Sequence, residues 1–188
     1  MVRLVLLLAT VIWLASAAGA RAEAPAGDVT TLAVGVLLHD RGPWSDRFER
    51  GTDLNLELEF AEPGGRFWKR LGSPRPHAGM TLNFVGDTSA AYLGLTYPFR
   101  VSERFLVAAG FGLAVHDGPL HKEPVGCRER SDCGFGSRVL PRVAVEVGIR
   151  LTDRQSLSLF FDHMSHAELL ADENEGIDHL GLRLRRSF

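Results

Sequence analysis

From residue 31 onward, apolar side chains recur at every second position in eight separate stretches. That period belongs to strands whose two faces meet different surroundings. Leu32, Val34, Val36 and Leu38 open the series, followed by Leu54, Leu56, Leu58 and Phe60, and then Ala78, Met80, Leu82 and Phe84. Ala91, Leu93, Leu95 and Tyr97 form the fourth row, and the fifth runs at every second residue from Phe105 to Val115. The sixth holds Val139, Val143, Val145, Val147, Ile149 and Leu151. Leu157, Leu159 and Phe161 make the seventh, and Leu180, Leu182 and Leu184 the last. No comparable helical period is present.

An even number of strands, each near ten residues, is what a closed transmembrane barrel requires. Closure leaves no open sheet edge for lipid to strip of hydrogen bonds. The polar rows carry both signs, with Asp53, Glu57, Glu59 and Glu146 against Arg142, Arg150, Arg183 and Arg185. Gly94, Gly110, Gly112 and Gly181 add small positions. Paired charges and glycines suit the narrow, side-chain-filled interior of an eight-stranded barrel. Phe188 ends the chain in parity with Leu180, Leu182 and Leu184, similar to the terminal aromatic of outer-membrane barrels. The expectation is an all-β, eight-stranded antiparallel transmembrane β-barrel with both termini periplasmic. A soluble periplasmic barrel is the alternative.

The N-terminus reads as an export signal. Arg3 precedes an almost wholly apolar run over residues 4–18, and Ala20-Arg21-Ala22 is a small-x-small cleavage site. This assigns 1–22 to a signal peptide and 23–188 to the barrel, with an uncleaved anchor helix as the other reading. Lys and Arg number 21 against 23 Asp and Glu, a net charge of -2. Nucleic-acid binding, which calls for a basic excess, is not expected.

Eight strands with periplasmic termini put the connections 39–52, 85–90, 116–137 and 166–177 outside, and 61–76, 98–104 and 152–154 in the periplasm. Phe67 and Trp68, in the longest of the inner connections, are expected at the membrane interface. Cys127 and Cys133 fall in the longest outer connection, where an oxidising compartment favours a local disulfide. Two free thiols or a metal pair are the alternatives, and no His or Asp spacing supports the metal. No metal motif or cofactor-binding motif appears elsewhere.

The most informative stretch is Phe161-Asp162-His163-Met164-Ser165-His166-Ala167. His163 and Ser165 continue the outward row of Leu157, Leu159 and Phe161, and Asp178 continues that of Leu180, Leu182 and Leu184. The two strands are neighbours, so the three polar groups converge at the outer rim. A hydroxyl, an imidazole and a carboxylate in mutual reach are the components of nucleophilic ester hydrolysis. The plain alternative is that these residues have left the bilayer and lie in a loop. Asp162 has the opposite parity and is expected inside, as is His179, bonded to an interior carboxylate. His39, His77, His116 and His121 read as solvated or hydrogen-bonded histidines.

Here the chain resembles the PagL-type lipid A 3-O-deacylases, eight-stranded outer-membrane barrels marked by His-x-Ser-Asn and then a Gly-x-acid element opening the last strand. The matching residues are His163-Met164-Ser165-His166 and Gly176-Ile177-Asp178. The resemblance implies Ser165 as nucleophile, His163 as general base and Asp178 as the orienting acid. It also implies lipid A of lipopolysaccharide as substrate, the outer membrane as location, and no cofactor. Backbone N–H groups around His166 and Ala167 are the expected oxyanion donors. Two positions depart from the pattern: His166 stands where the family has Asn, and Asp178 where its best-known members have Glu. Glu173 and Glu175 are alternative acids. The competing functions are a structural or adhesive barrel without catalysis and a phospholipase using the same triad. A homodimer is one option for the oligomeric state.

Overall fold

The computed structural model describes residues 31–45, 47, 49–120, 134–166, 169 and 175–188. Residues 1–22, expected as a signal peptide, and the cysteine pair Cys127 and Cys133 fall outside the described residues, as do Ala167, His121 and Glu173. Eight strands form: β1 Thr31–His39, β2 Thr52–Glu59, β3 Arg75–Asn83, β4 Ala90–Arg100, β5 Phe105–His116, β6 Val139–Arg150, β7 Gln155–Met164 and β8 Ile177–Ser187. Each pairs antiparallel with the next, and β8 returns to β1 to close the barrel. The alternation in the sequence survives as burial: every second residue of β6 from Leu140 to Gly148 is buried, while those between them are exposed.

The outward rows carry Leu93, Phe111, Val145, Val147, Leu159 and Leu182, all exposed large apolar side chains. A surface of this kind is stable against lipid rather than water. Inside, the two signs pair. Arg183 reaches Glu57 at 2.6 Å and Arg142 reaches Asp162 at 2.6 Å. Arg185 bridges Glu146 at 2.8 Å and also bonds Glu59. The guanidinium of Arg142 lies over the Tyr92 ring at 3.7 Å, and that of Arg183 over Phe160 at 4.1 Å. Buried charge is tolerable only when matched in this way. Arg150 is the exception to the expected interior set: at the last position of β6 it is exposed at the barrel mouth.

Glycine sets the bore where strands approach. Gly94 and Gly112 face one another across β4 and β5, and a Cβ on Gly94 would stand 2.8 Å from the Gly112 Cα. The long connection after β2 holds a short helix, α1 Arg66–Arg70, that alternation could not signal. Phe67 and Trp68, expected as interface residues, lie on it with ring centroids 5.4 Å apart.

The barrel has two unlike ends. The β2–β3, β4–β5 and β6–β7 connections lie with the described termini at one end, and the β1–β2, β3–β4, β5–β6 and β7–β8 connections lie at the other. The candidate site belongs to the second end.

Candidate active site

The β7–β8 register sets His163 directly opposite Asp178. Both continue outward rows, as parity requires, and the imidazole Nδ1 lies 2.6 Å from Asp178 Oδ1. The pairing is local in space and distant in sequence. It follows from the hairpin register, which a slip of one residue would destroy by turning one partner inward.

Ser165 follows the end of β7. Its backbone N–H donates to the Pro141 carbonyl at 3.1 Å, which extends the ladder with β6 past the last strand residue and holds Ser165 on the His163 side. Gly176 faces both groups. A Cβ placed there would stand 3.4 Å from Ser165 Cβ, 3.4 Å from His163 Nε2 and 2.6 Å from His163 Cε1. The ring thus gives its Nδ1 edge to Asp178, while Gly176 lies against its Cε1 edge and near Ser165. An acid that fixes one imidazole nitrogen leaves the other to take a hydroxyl proton.

Asp178 is fully buried although its row faces outward. The cause is the β1–β2 connection, which folds over it. The Trp44 backbone N–H donates to Asp178 Oδ2 at 2.8 Å, and the Arg41 N–H donates to the Asp178 carbonyl at 3.0 Å. Gly42 lies so close that any Cβ would overlap the Asp178 side chain. The Trp44 indole sits 5.2 Å from the His163 ring and 5.6 Å from that of Phe161, centroid to centroid, and remains 62% exposed on the outer surface. Asp40 holds the connection in shape. It is buried in a left-handed conformation (φ 48°), and its carboxylate accepts the Glu49 N–H at 3.0 Å and the Ser45 hydroxyl at 2.5 Å.

His166, expected as part of the oxyanion support, is buried, and its Nε2 lies 2.9 Å from the Phe135 carbonyl. Its side chain ties the end of β7 to the segment before β6. The Glu175 N–H likewise reaches the Gly134 carbonyl, so the same segment anchors both sides of the hairpin. Asp162 lies inside on Arg142, as its parity predicted.

Sequence reasoning placed the imidazole beside the acid, as the register shows, and it missed the β1–β2 connection. The sign of it was present in Asp40-Arg41-Gly42-Pro43-Trp44, a turn-forming run ending in an aromatic. Nothing in that run told which strand it would cover.

The chain matches the family model described as lipid A 3-O-deacylase (PagL) over residues 62–187. Among curated proteins no sequence matches it significantly. Among solved structures it is similar to the outer-membrane enzyme PagL, with 19% identity, a TM-score of 0.55, and coverage of 84% of this chain and 98% of that one. It is also similar to Neisserial surface protein A, with 11% identity, a TM-score of 0.50, and coverage of 85% and 96%. The family match begins after β2, so the connection that covers Asp178 lies outside it.

Proposed function

Since the chain belongs to the PagL family of lipid A 3-O-deacylases, outer-membrane hydrolases, we propose that Ser165, His163 and Asp178 hydrolyse the ester-linked 3-hydroxyacyl chain of lipid A. The observation that carries the assignment is the 2.6 Å His163–Asp178 contact, with Gly176 packed close to both His163 and Ser165.

His163 Nε2 takes the Ser165 proton as Oγ attacks the acyl carbonyl. The imidazolium that forms is stabilised by the Asp178 carboxylate, which also holds the tautomer that leaves Nε2 free to accept. Collapse of the tetrahedral intermediate breaks the bond to the sugar oxygen, which leaves with the proton from His163. Water, deprotonated by the same nitrogen, then releases the fatty acid from Ser165. The oxyanion needs N–H donors in place. The Ser165 N–H is already given to Pro141, so the donors come from further along the chain, where the His166 and Ala167 N–H groups are the candidates.

The reading places the site end outward and both termini in the periplasm, since lipid A occupies the outer leaflet. The three groups then open sideways from the barrel wall, and the scissile ester need not leave the membrane. The exposed Trp44 indole lies beside His163 where the acyl chain would pass.

The test is the mass spectrum of lipid A from cells carrying the protein, cells lacking it, and cells carrying Ser165→Ala. The expected result is loss of one 3-hydroxyacyl mass with the parent and none with the variant, both barrels being present in the outer membrane. An unchanged spectrum with the parent, and no hydrolysis by purified protein across several lipid A forms, would overturn the assignment in favour of a scaffold barrel. Hydrolysis of phospholipid instead, in a side-by-side assay, would reassign the substrate.

A further inference from the structure

Behind the wall that carries Asp178, the barrel interior holds a second cluster that the proposed hydrolysis does not use. His39 at the end of β1, Asp53 in β2 and His179 in β8 are all buried, and one donor atom from each lies within 4.8 Å of the other two. His39 Nδ1 is 2.8 Å from Asp53 Oδ2, and His179 Nε2 is 3.3 Å from the same oxygen. We propose that His39 Nδ1, Asp53 Oδ2 and His179 Nε2 form a binding site for a divalent transition-metal ion of the zinc class.

Four observations support it. The first is an orphaned atom: His179 Nε2 is buried, points at Asp53 and has no hydrogen-bond partner. The second is spacing. Donors bound about 2.0–2.2 Å from one ion lie about 3.0–3.5 Å apart; two of the separations here are 2.8 and 3.3 Å, and the third is within 4.8 Å. The third is what stands behind each ring. The far nitrogen of His39 lies 2.7 Å from Glu49, and that of His179 lies 2.8 Å from Asp162. Metal-binding imidazoles characteristically give their second N–H to a carboxylate, which fixes the ring and makes the ligating nitrogen a better donor.

The fourth is charge. Glu49, Asp53 and Asp162 bring three negative charges, and among the described residues the only fixed cation bonded to any of them is Arg142, on Asp162. The other partners of Asp53 and Glu49 are neutral: Asn83 at 2.9 Å and the Thr88 hydroxyl at 2.7 Å. With both rings neutral, the cluster is two positive charges short. One divalent ion held by two neutral imidazoles supplies them at a single point. Two imidazolium rings would supply them as like charges, with ring centroids 5.3 Å apart, and would repel. Two nitrogens and one carboxylate suit zinc better than calcium or magnesium, which take oxygen. The sequence offered no metal motif because the three donors come from three strands and meet only on closure, where β8 returns to β1. An ion there ties β1, β2 and β8 together at the site end, with His179 adjacent in the chain to Asp178. The site is independent of the proposed hydrolysis.

The experiment uses the full barrel purified in detergent, stripped with chelator, and titrated with zinc chloride. Histidine 15N spectra of the unsubstituted protein read the site directly, so the result does not depend on a variant folding. Expected are uptake of one equivalent, movement of the His39 Nδ1 and His179 Nε2 resonances, and a rise in the unfolding temperature. His179→Gln and Asp53→Asn should abolish the uptake, and Glu49→Gln should weaken it about 10–100-fold. No uptake from micromolar zinc would overturn the proposal and leave the cluster as a hydrogen-bonded network among carboxylates. Uptake with both resonances unmoved, or uptake that survives both His179→Gln and Asp53→Asn, would place the metal elsewhere and overturn it equally.

Discussion

Asp178, the acid proposed to orient His163, is held on every side although it is one methylene shorter than Glu. The β7–β8 register sets it opposite His163, the Trp44 N–H binds its second oxygen, and Gly42 closes the space behind it. Every part of the carboxylate is thus held. Asp178→Asn keeps the shape but offers an amide that can bond the wrong imidazole tautomer. Its expected effect is a fall in kcat of about 10⁴-fold with barrel assembly unchanged, measured as release of 3-hydroxy fatty acid by purified protein. A variant retaining near-parental kcat would show that another acid serves His163. His166 differs from the family's Asn in kind as well as in size. Its imidazole reaches the Phe135 carbonyl, so at this position the chain contributes anchorage of the segment before β6.

At the scale of elements, the β1–β2 connection shapes the candidate site as much as the strands that hold its residues. It supplies no reacting group, yet it buries Asp178 and covers one face of His163. Removing Asp178 from solvent strengthens its electrostatic interaction with the His163 ring, as the proposed mechanism requires. Gly42→Ala should force this connection off Asp178, because the added methyl has no room. A misplacement of about 1 Å in such a site costs about 10²-fold in rate. The expected outcome is that loss in kcat with heat-dependent gel mobility unaltered. Unchanged turnover would show that the connection does not position the acid in solution.

The whole molecule is an apolar sleeve around a charged core, and the two parts set different constraints. The sleeve needs only alternation, whereas the core needs specific partners. Arg183 is buried with Glu57 at 2.6 Å and Glu146 at 3.9 Å. Arg183→Met leaves Glu57 without its cation and should destabilise the barrel by about 3–5 kcal/mol. The double variant Glu57→Gln/Arg183→Met should recover most of that loss. Urea unfolding followed by the mobility difference between folded and unfolded barrel measures both. A small effect in the single variant would mean that water or another cation reaches Glu57.

Strand number, the split between inner and outer faces, and the meeting of His163 with Asp178 were all legible before any coordinates. The reason is that side-chain direction in a strand repeats every two residues, so parity carries from Leu157 to His163 and from Leu184 to Asp178 without knowledge of the rest. Closure was legible for a related reason, since a transmembrane sheet with open edges is not viable. Which charges pair inside, that Arg150 lies at the mouth, and that His39, Asp53 and His179 meet were not legible. Those contacts depend on register and closure between strands far apart in the chain, as when His39 pairs with His179 across β1 and β8. The covering of Asp178 was also hidden. A connection has no period to read, and where residues 40–51 fold is settled by what they find at the rim: a carboxylate to accept the Trp44 N–H and an imidazole to pack against its ring.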